Sequence, residues 1–296
     1  MRAYVEGNDI ILKVKDDFIL KHIFECGQCF RWNPIDEVTY EGIAMGHYLQ
    51  LKEEVNQIRF LDTTLKQFND LWLLYFDLNT DYSDLKERVS ALHPVLGEAV
   101  DFGSGIRILK QDPWETLISF IISANNNIPR IKMLIRKLAE AFGDQFINNK
   151  GEVCYTFPSP VQLTFATEEK LREMGMGYRA KYIYEVAQKV SHEYDSYNHL
   201  TNLNTVELEK ALLKYMGVGP KVASCVMLFG YGKMDTFPVD TWIRKVLIEW
   251  FAIESTRPTE VREAIKRRFS GLEGIAQQYL FYYAREHKLE IGQGIK

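Results

Sequence analysis

Residues 207–240 constrain this chain most. Glu207 to Tyr215 reads as a helix, Met216-Gly217-Val218-Gly219-Pro220-Lys221 as a tight hairpin, and the apolar run behind it as a second helix leading to Phe237-Pro238-Val239-Asp240. Asn204 and Glu207 have capping-box spacing ahead of Leu208, Ala211, Leu212 and Tyr215. Gly217 and Gly219 take backbone angles barred to other residues and let a phosphate approach the main chain. The helix opened by Pro220 presents unpaired N–H groups and the positive end of its dipole. That combination holds an anion without a charged side chain. The plainer reading is a helix–turn–helix connection with a glycine cap.

Lys221 stands in the first turn of that second helix, where a cation faces the wrong end of the dipole at a cost of roughly 0.3–1 kcal/mol. The same field favours the neutral amine, the nucleophilic form. The structural alternative is a lysine that reaches out to water. Asp240 precedes Thr241-Trp242-Ile243-Arg244 and reads as a helix N-cap. A capping carboxylate is held rigidly and can aim its free oxygen at developing positive charge, so the two roles are compatible.

The rest of the chain sets the frame. Its 296 residues allow two domains, and 46% hydrophobic content supplies a sizeable core. No apolar run approaches the roughly 20 residues that cross a bilayer, and the N-terminus lacks the apolar core of a signal peptide. A cytoplasmic protein without membrane contact is expected. A net charge of −4 argues against a passive nucleic-acid coat protein, though not against a DNA enzyme with a local basic face. Cys26 and Cys29 form a lone CxxC, without the second pair or spaced histidines of a zinc site. Reduced, structural thiols are expected.

Tyr40–Met45, Tyr48–Lys52 and Gln57–Leu61 read as strands of an antiparallel meander, with a turn at Gly46-His47. Phe68 to Phe76 is a buried helix or strand; periodicity does not decide. From about Asp84 the pattern is helical. Pro113 opens a helix that ends at Asn125-Asn126-Asn127, Pro129 starts another, and Thr167 caps a third with Glu168 and Glu169 in its first turn. Residues 260–290 are again helical. The expected fold is α+β: an N-terminal antiparallel β-rich domain over 1–104, then a helical domain over 105–296 with the hairpin unit at about 207–230.

Gly-Val-Gly, Lys221 and Val-Asp240 resemble the helix-hairpin-helix DNA glycosylases. Gly27-Gln28-Cys29-Phe30-Arg31-Trp32, Gln111-Asp112-Pro113, Ser123 through Arg130, Gly177-Tyr178-Arg179-Ala180 and Ala276 through Phe281 narrow the resemblance to the 8-oxoguanine DNA glycosylase/AP lyase family. Each motif is weak alone. Five in order around a Lys/Asp pair are specific, and they span about residues 25 to 285.

The resemblance implies an enzyme that flips a damaged nucleotide out of double-stranded DNA, since the sugar C1′ is inaccessible in the stack. Lys221 would be the nucleophile that forms a Schiff base, and Asp240 would stabilise the oxocarbenium-like transition state. The Gly27 carbonyl would accept from the N7–H that 8-oxoguanine has and guanine lacks. Gln277 would bond the Watson–Crick edge, and Phe281 and Cys225 would sandwich the base. Tyr178 would be the wedge, and Asn125, Arg130 and Arg179 would read the orphaned cytosine. Gly217, Gly219 and Val222 would hold the DNA phosphate.

From residue types alone, Asn125 is a helix end, Phe281 and Cys225 are core, and the two arginines are a solvated basic face. The family's histidine after the aspartate, and its later aspartate partner, are here Trp242 and Ala284. Trp242 is expected to pack against the pocket instead. No catalytic metal or cofactor is implied, and a monomer is expected.

Three rivals stand beside this reading. Adenine and thymine-glycol glycosylases carry a four-cysteine iron–sulfur cluster, whereas no cysteine follows Cys225. Alkylated-base glycosylases lack the lysine. A non-catalytic DNA-binding module would need only the hairpin.

Overall fold

The structure, a computed structural model, describes residues 2–14 and 17–287. The N-terminal lobe is a six-stranded sheet: β1 (Arg2–Glu6), β2 (Asp9–Lys13), β3 (Trp32–Pro34), β4 (Thr39–Ala44), β5 (His47–Glu54) and β6 (Gln57–Leu61). They lie in the order β1-β2-β6-β5-β4-β3, every neighbour antiparallel. The turn between β4 and β5 falls at Met45-Gly46, one residue earlier than the sequence suggests, and His47 opens β5. Met45 and Gly46 both have positive φ, 54° and 76°. Such turns match the twist of the strands they join.

Phe68 to Phe76, open to either reading by periodicity, lies in a helical stretch, Leu65–Tyr75, with one wide turn at Phe68–Trp72. Phe68, Trp72, Tyr75 and Phe76 recur on one face and fill the space beneath the sheet.

The rest is helical, apart from a two-stranded ribbon, β7 (Gln145–Ile147) and β8 (Val153–Tyr155), which the sequence pattern did not announce. The expected starts are present. Asp112 caps Pro113–Ser123, Asn127 caps Ile128–Phe142, Thr167 caps Glu168–Glu173, and Asn204 with Glu207 forms a capping box on Thr205–Leu212. The last two described helices are Pro258–Phe269 and Glu273–Glu286.

Two hydrophobic cores result. One lies in the sheet lobe, the other among the helices, and the segment 26–32 is stitched through both. Cys29 and Trp32 belong to the first, Cys26 and Phe30 to the second. Arg107 locks the junction. Fully buried, it donates to the carbonyls of Phe76, Asp17, Asp77 and Thr80 and to the Asp17 carboxylate, 2.7–3.2 Å away, and lies over the Tyr82 ring. An arginine is tolerated in a core only when its fork is satisfied in this way.

Candidate active site

The hairpin is built as its glycines require. Gly217 has φ +79°, and a Cβ there would come within 2.6 Å of the Tyr182 ring, so the position needs glycine for angle and for space. Gly219 is different. Its backbone is extended, and a Cβ would meet nothing within 4 Å. The bare face at Gly219 is therefore open to something outside the chain. It is the N-cap of the helix Pro220–Phe229, and no side chain caps that end. N–H groups of the first turn, Val222 among them, point at this open face. Val222 itself is a buried core side chain.

Lys221, one residue into the helix, lies half-buried with Nζ 4.9 Å from the centre of the Phe120 ring. Phe120 stacks on Phe229 and meets Phe30 edge-on, so the floor beneath the amine is aromatic. Cys225 follows one turn later and is buried. Burial pushes its thiol pKa up; Lys221 pulls it down and Asp240 adds to the rise. All three side chains thus share one neighbourhood. Asp240 is the N-cap of Thr241–Phe251, its Oδ1 accepting from Ile243 N at 2.8 Å. Among the described residues no carboxylate lies within ion-pairing distance of the Lys221 amine.

A second group assembles from opposite ends of the chain. Gly27 has φ +83°, and a Cβ on it would sit 2.9 Å from Phe281, so the loop backbone lies directly on that ring. Gln277 precedes Phe281 by one turn on Glu273–Glu286. It is only 5% exposed, and its Oε1 has no hydrogen-bond partner. A buried, unpaired amide oxygen costs about 1–3 kcal/mol, and a ligand N–H would remove that cost.

The Gly27 loop is held by residues to which the sequence reading gave no role. The buried Gln28 side chain donates to the carbonyls of Ile23 (2.9 Å) and Arg107 (2.8 Å) and accepts from Leu109 N (2.9 Å). Gln278 donates to the Cys26 carbonyl at 2.6 Å, and Arg285 to that of Glu25. Gln28 lay in a recognised motif, but nothing in a sequence tells a glutamine that clamps a loop from one that meets a ligand. Burial pushes the Cys26 and Cys29 thiol pKa values well up, which fits structural thiols.

The third group lies where Pro113–Ser123 ends. Asn125 has φ +50°. The exposed Tyr178 donates from its hydroxyl to the Ala124 carbonyl at 3.2 Å. Arg179 donates to the carbonyls of Ala124 (2.9 Å from Nε) and Asn125 (2.8 Å), and Arg130 to that of Gly175 (3.1 Å). Arg179 is not part of a solvated face: it is 6% exposed, because a loop rich in outward carbonyls needs its donors. Tyr182, which the sequence reading did not single out, joins this group to the hairpin: its ring lies 5.7 Å from that of Tyr178 and against Gly217.

Trp242 does not pack inward as expected. It is 40% exposed, with Lys245 Nζ 5.8 Å from its ring, while Ala284 is fully buried.

Comparison with known proteins gives the same assignment. The family described as "8-oxoguanine DNA glycosylase, N-terminal domain" matches residues 10–117, and "HhH-GPD superfamily base excision DNA repair protein" matches 118–270. N-glycosylase/DNA lyase OGG1 of Arabidopsis thaliana is 31% identical over 87% of this chain and 75% of its own length. A probable N-glycosylase/DNA lyase of Methanothermobacter thermautotrophicus is 30% identical over 81% and 83%. The Saccharomyces cerevisiae N-glycosylase/DNA lyase is 42% identical over 52% of this chain, a match that spans only 44% of the yeast protein. Among solved structures, the Clostridium acetobutylicum 8-oxoguanine glycosylase/lyase, in complex with double-stranded DNA containing cytosine opposite 8-oxoguanine, superposes with a TM-score of 0.92 at 39% identity over 98% of this chain and 99% of its own.

Fold and site together define a base excision repair enzyme, an N-glycosylase/DNA lyase of the helix-hairpin-helix superfamily. Within that superfamily the chain belongs to the 8-oxoguanine DNA glycosylase family.

Proposed function

We propose that this enzyme excises 8-oxoguanine, preferentially opposite cytosine, and then nicks the strand. The observation that carries the reading is the buried, unpartnered Gln277 Oε1, one helical turn before the Phe281 ring on which Gly27 lies. It is an acceptor built for a flat, N–H-bearing ligand.

The neutral amine of Lys221 attacks the sugar C1′, and the bond from C1′ to the base breaks. The base leaves with that electron pair and takes a proton. Asp240, fixed by its capping bond, faces the positive charge that develops on the sugar. The nitrogen, having lost a proton, then expels O4′ from C1′; O4′ takes a proton, and the opened sugar is held as a Schiff base on Lys221. Removal of a C2′ proton then expels the 3′ phosphate by β-elimination. Lesion choice rests on the Gly27 carbonyl: it accepts from N7–H of 8-oxoguanine and would oppose the lone pair of guanine. Phe281 and Cys225 enclose the ring, Tyr178 fills the gap, and Asn125, Arg130 and Arg179 read the estranged cytosine. The hairpin N–H groups at Gly217, Gly219 and Val222 hold the backbone phosphate. DNA is thus the partner, and the chain acts as a monomer.

Borohydride should trap a covalent adduct between the enzyme and a duplex carrying 8-oxoguanine opposite cytosine. Lys221→Gln should abolish trapping while leaving duplex binding within about threefold. Normal trapping by that variant would show that another amine attacks.

A further inference from the structure

Along the helix that carries Lys221 lies a cavity of about 380 Å³; Lys221 is on its lining, but the Lys221 amine lies over the Phe120 ring, which is not. Pro220, Ser224 and Met227 face it, a side of the Pro220–Phe229 helix distinct from the Cys225 side. The segment leading to Asp240 and the helix Pro258–Phe269 complete the wall with Phe237, Val239, Val261 and Ile265. Most of the lining surface is apolar, and two of the polar side chains in it are buried without a partner. Thr236 is 4% exposed and Glu273 5% exposed, and neither Thr236 Oγ1 nor Glu273 Oε2 has a hydrogen-bond partner.

The other charges around the cavity are paired or turned away: Lys266 is exposed, and the Lys221 amine lies over Phe120. Glu209 grips Arg262 at 2.6 and 2.8 Å, and Asp235 accepts from Thr205 at 2.7 Å. Arg244 donates to the carbonyls of Ile253, Glu254 and Ser255. Glu273 stands in the first turn of Glu273–Glu286, where a helix end favours negative charge. A carboxylate oxygen can only accept, and a buried one is costly until a donor, best a cationic donor, meets it.

We propose that this cavity is a second ligand site, for a small molecule with an apolar ring and a protonated nitrogen, an aryl amidine or amine. Its N–H groups donate to Glu273 and Thr236, and its ring lies among Met227, Phe237, Val239, Val261 and Ile265. Such an occupant braces two elements at once: the helix bearing Lys221 and the segment ending at Asp240.

The probe is benzamidine, with benzoate as the same ring of opposite charge, each titrated into the full chain by calorimetry and two-dimensional NMR. Benzamidine should bind saturably in the millimolar range, and benzoate should not. Glu273→Gln should weaken benzamidine about tenfold or more, the scale of a charge-assisted hydrogen bond. Val261→Trp, which fills the cavity from a half-buried position away from Lys221, should abolish binding; thermal unfolding checks that it is folded. If Glu273→Gln does not fold, Val261→Trp and the benzamidine–benzoate contrast decide. Absence of saturable benzamidine binding would mean a cavity that holds only water, and would overturn the proposal. So would equal binding of benzoate, or benzamidine binding untouched by Val261→Trp. The adduct assay above does not depend on any of these results.

Discussion

The pocket around Gln277 and the face around Tyr178 both present polar side chains, but in opposite states. Gln277 Oε1 is buried and unpaired. The buried Arg179 has its donors taken up by the carbonyls of Ala124 and Asn125, and the exposed Arg130 gives one of its own to Gly175. A ligand bond in the pocket therefore relieves a standing cost, whereas a ligand bond on the face must first displace an internal one. Under the proposed roles, the pocket is set before DNA arrives, and the Arg179 side of the face has to re-aim. On this view, base selection needs little movement, while reading the opposite strand includes a rearrangement.

The largest effect that separates the two is expected at Gln277. Gln277→Ala removes the waiting acceptor, and single-turnover excision of 8-oxoguanine should fall about tenfold to a hundredfold, with folding intact. Retention of the wild-type rate would mean that the unpaired oxygen is not a ligand contact.

On the face, Arg179→Ala should lower opposite-base selectivity more than it lowers the rate opposite cytosine, by about tenfold in the selectivity ratio. Arg130→Ala, which breaks one bond at an exposed position, should do the same more weakly. Competition between duplexes with each of the four bases opposite the lesion measures both. Equal cutting of all four by the wild type would remove the basis for assigning this face to the opposite strand.

The two hairpin glycines test the anion site with smaller effects. Gly217→Ala forces a Cβ into the Tyr182 ring at a positive φ, so it should cost about 1–3 kcal/mol of stability. Gly219→Ala meets no neighbour in the chain and should unfold like the wild type. Its methyl group occupies the open face, so duplex affinity should fall about threefold to tenfold in a binding titration. A fully neutral Gly219→Ala would move the phosphate elsewhere.

These cases also show which parts of the molecule a sequence can announce. Helix starts were legible because their signals are local: Pro113 and Pro129 in first turns, and the caps Thr167, Asn204 and Asp240, each act within a few residues of themselves. The Lys221–Asp240 unit shares that property, since both lie at helix starts one short segment apart. The proposed base pocket does not. Gly27 and Phe281 lie at opposite ends of the chain, and only the family resemblance joined them before the fold did.

Arg179 was misjudged for the same kind of reason. An arginine beside a tyrosine at a helix start reads as exposed, and the carbonyls that bury it belong to a loop some fifty residues earlier. Tyr182 and Gln28 went unassigned because their partners are a glycine face and backbone groups, which leave no mark in residue type. The ribbon β7–β8 is too short for its alternation to register.

The smallest effect on excision is expected at Glu115, which asks whether pocket and face are mechanically joined. Arg31 belongs to the loop that carries Gly27, and Glu115 to the helix Pro113–Ser123 that leads to Asn125; Arg31 Nη1 and Glu115 Oε2 are 3.8 Å apart. Burial pushes the Glu115 carboxyl from 4.5 up to about 7, against the pull of Arg31 and with a further push from Asp112. Between those values the folded state holds a proton that the unfolded state has lost. Stability from this group is therefore full below the lower value, falls as pH rises through about 7, and is flat above it. Glu115→Gln keeps the shape and removes the titration. Urea unfolding at acid and mildly alkaline pH should show the wild type losing ground to the variant as pH rises. A difference that stays constant, or grows in favour of the wild type, would mean that the carboxylate is charged and well paired with Arg31 throughout. The contact between the two regions would then be an ion pair, not a proton-sensitive joint.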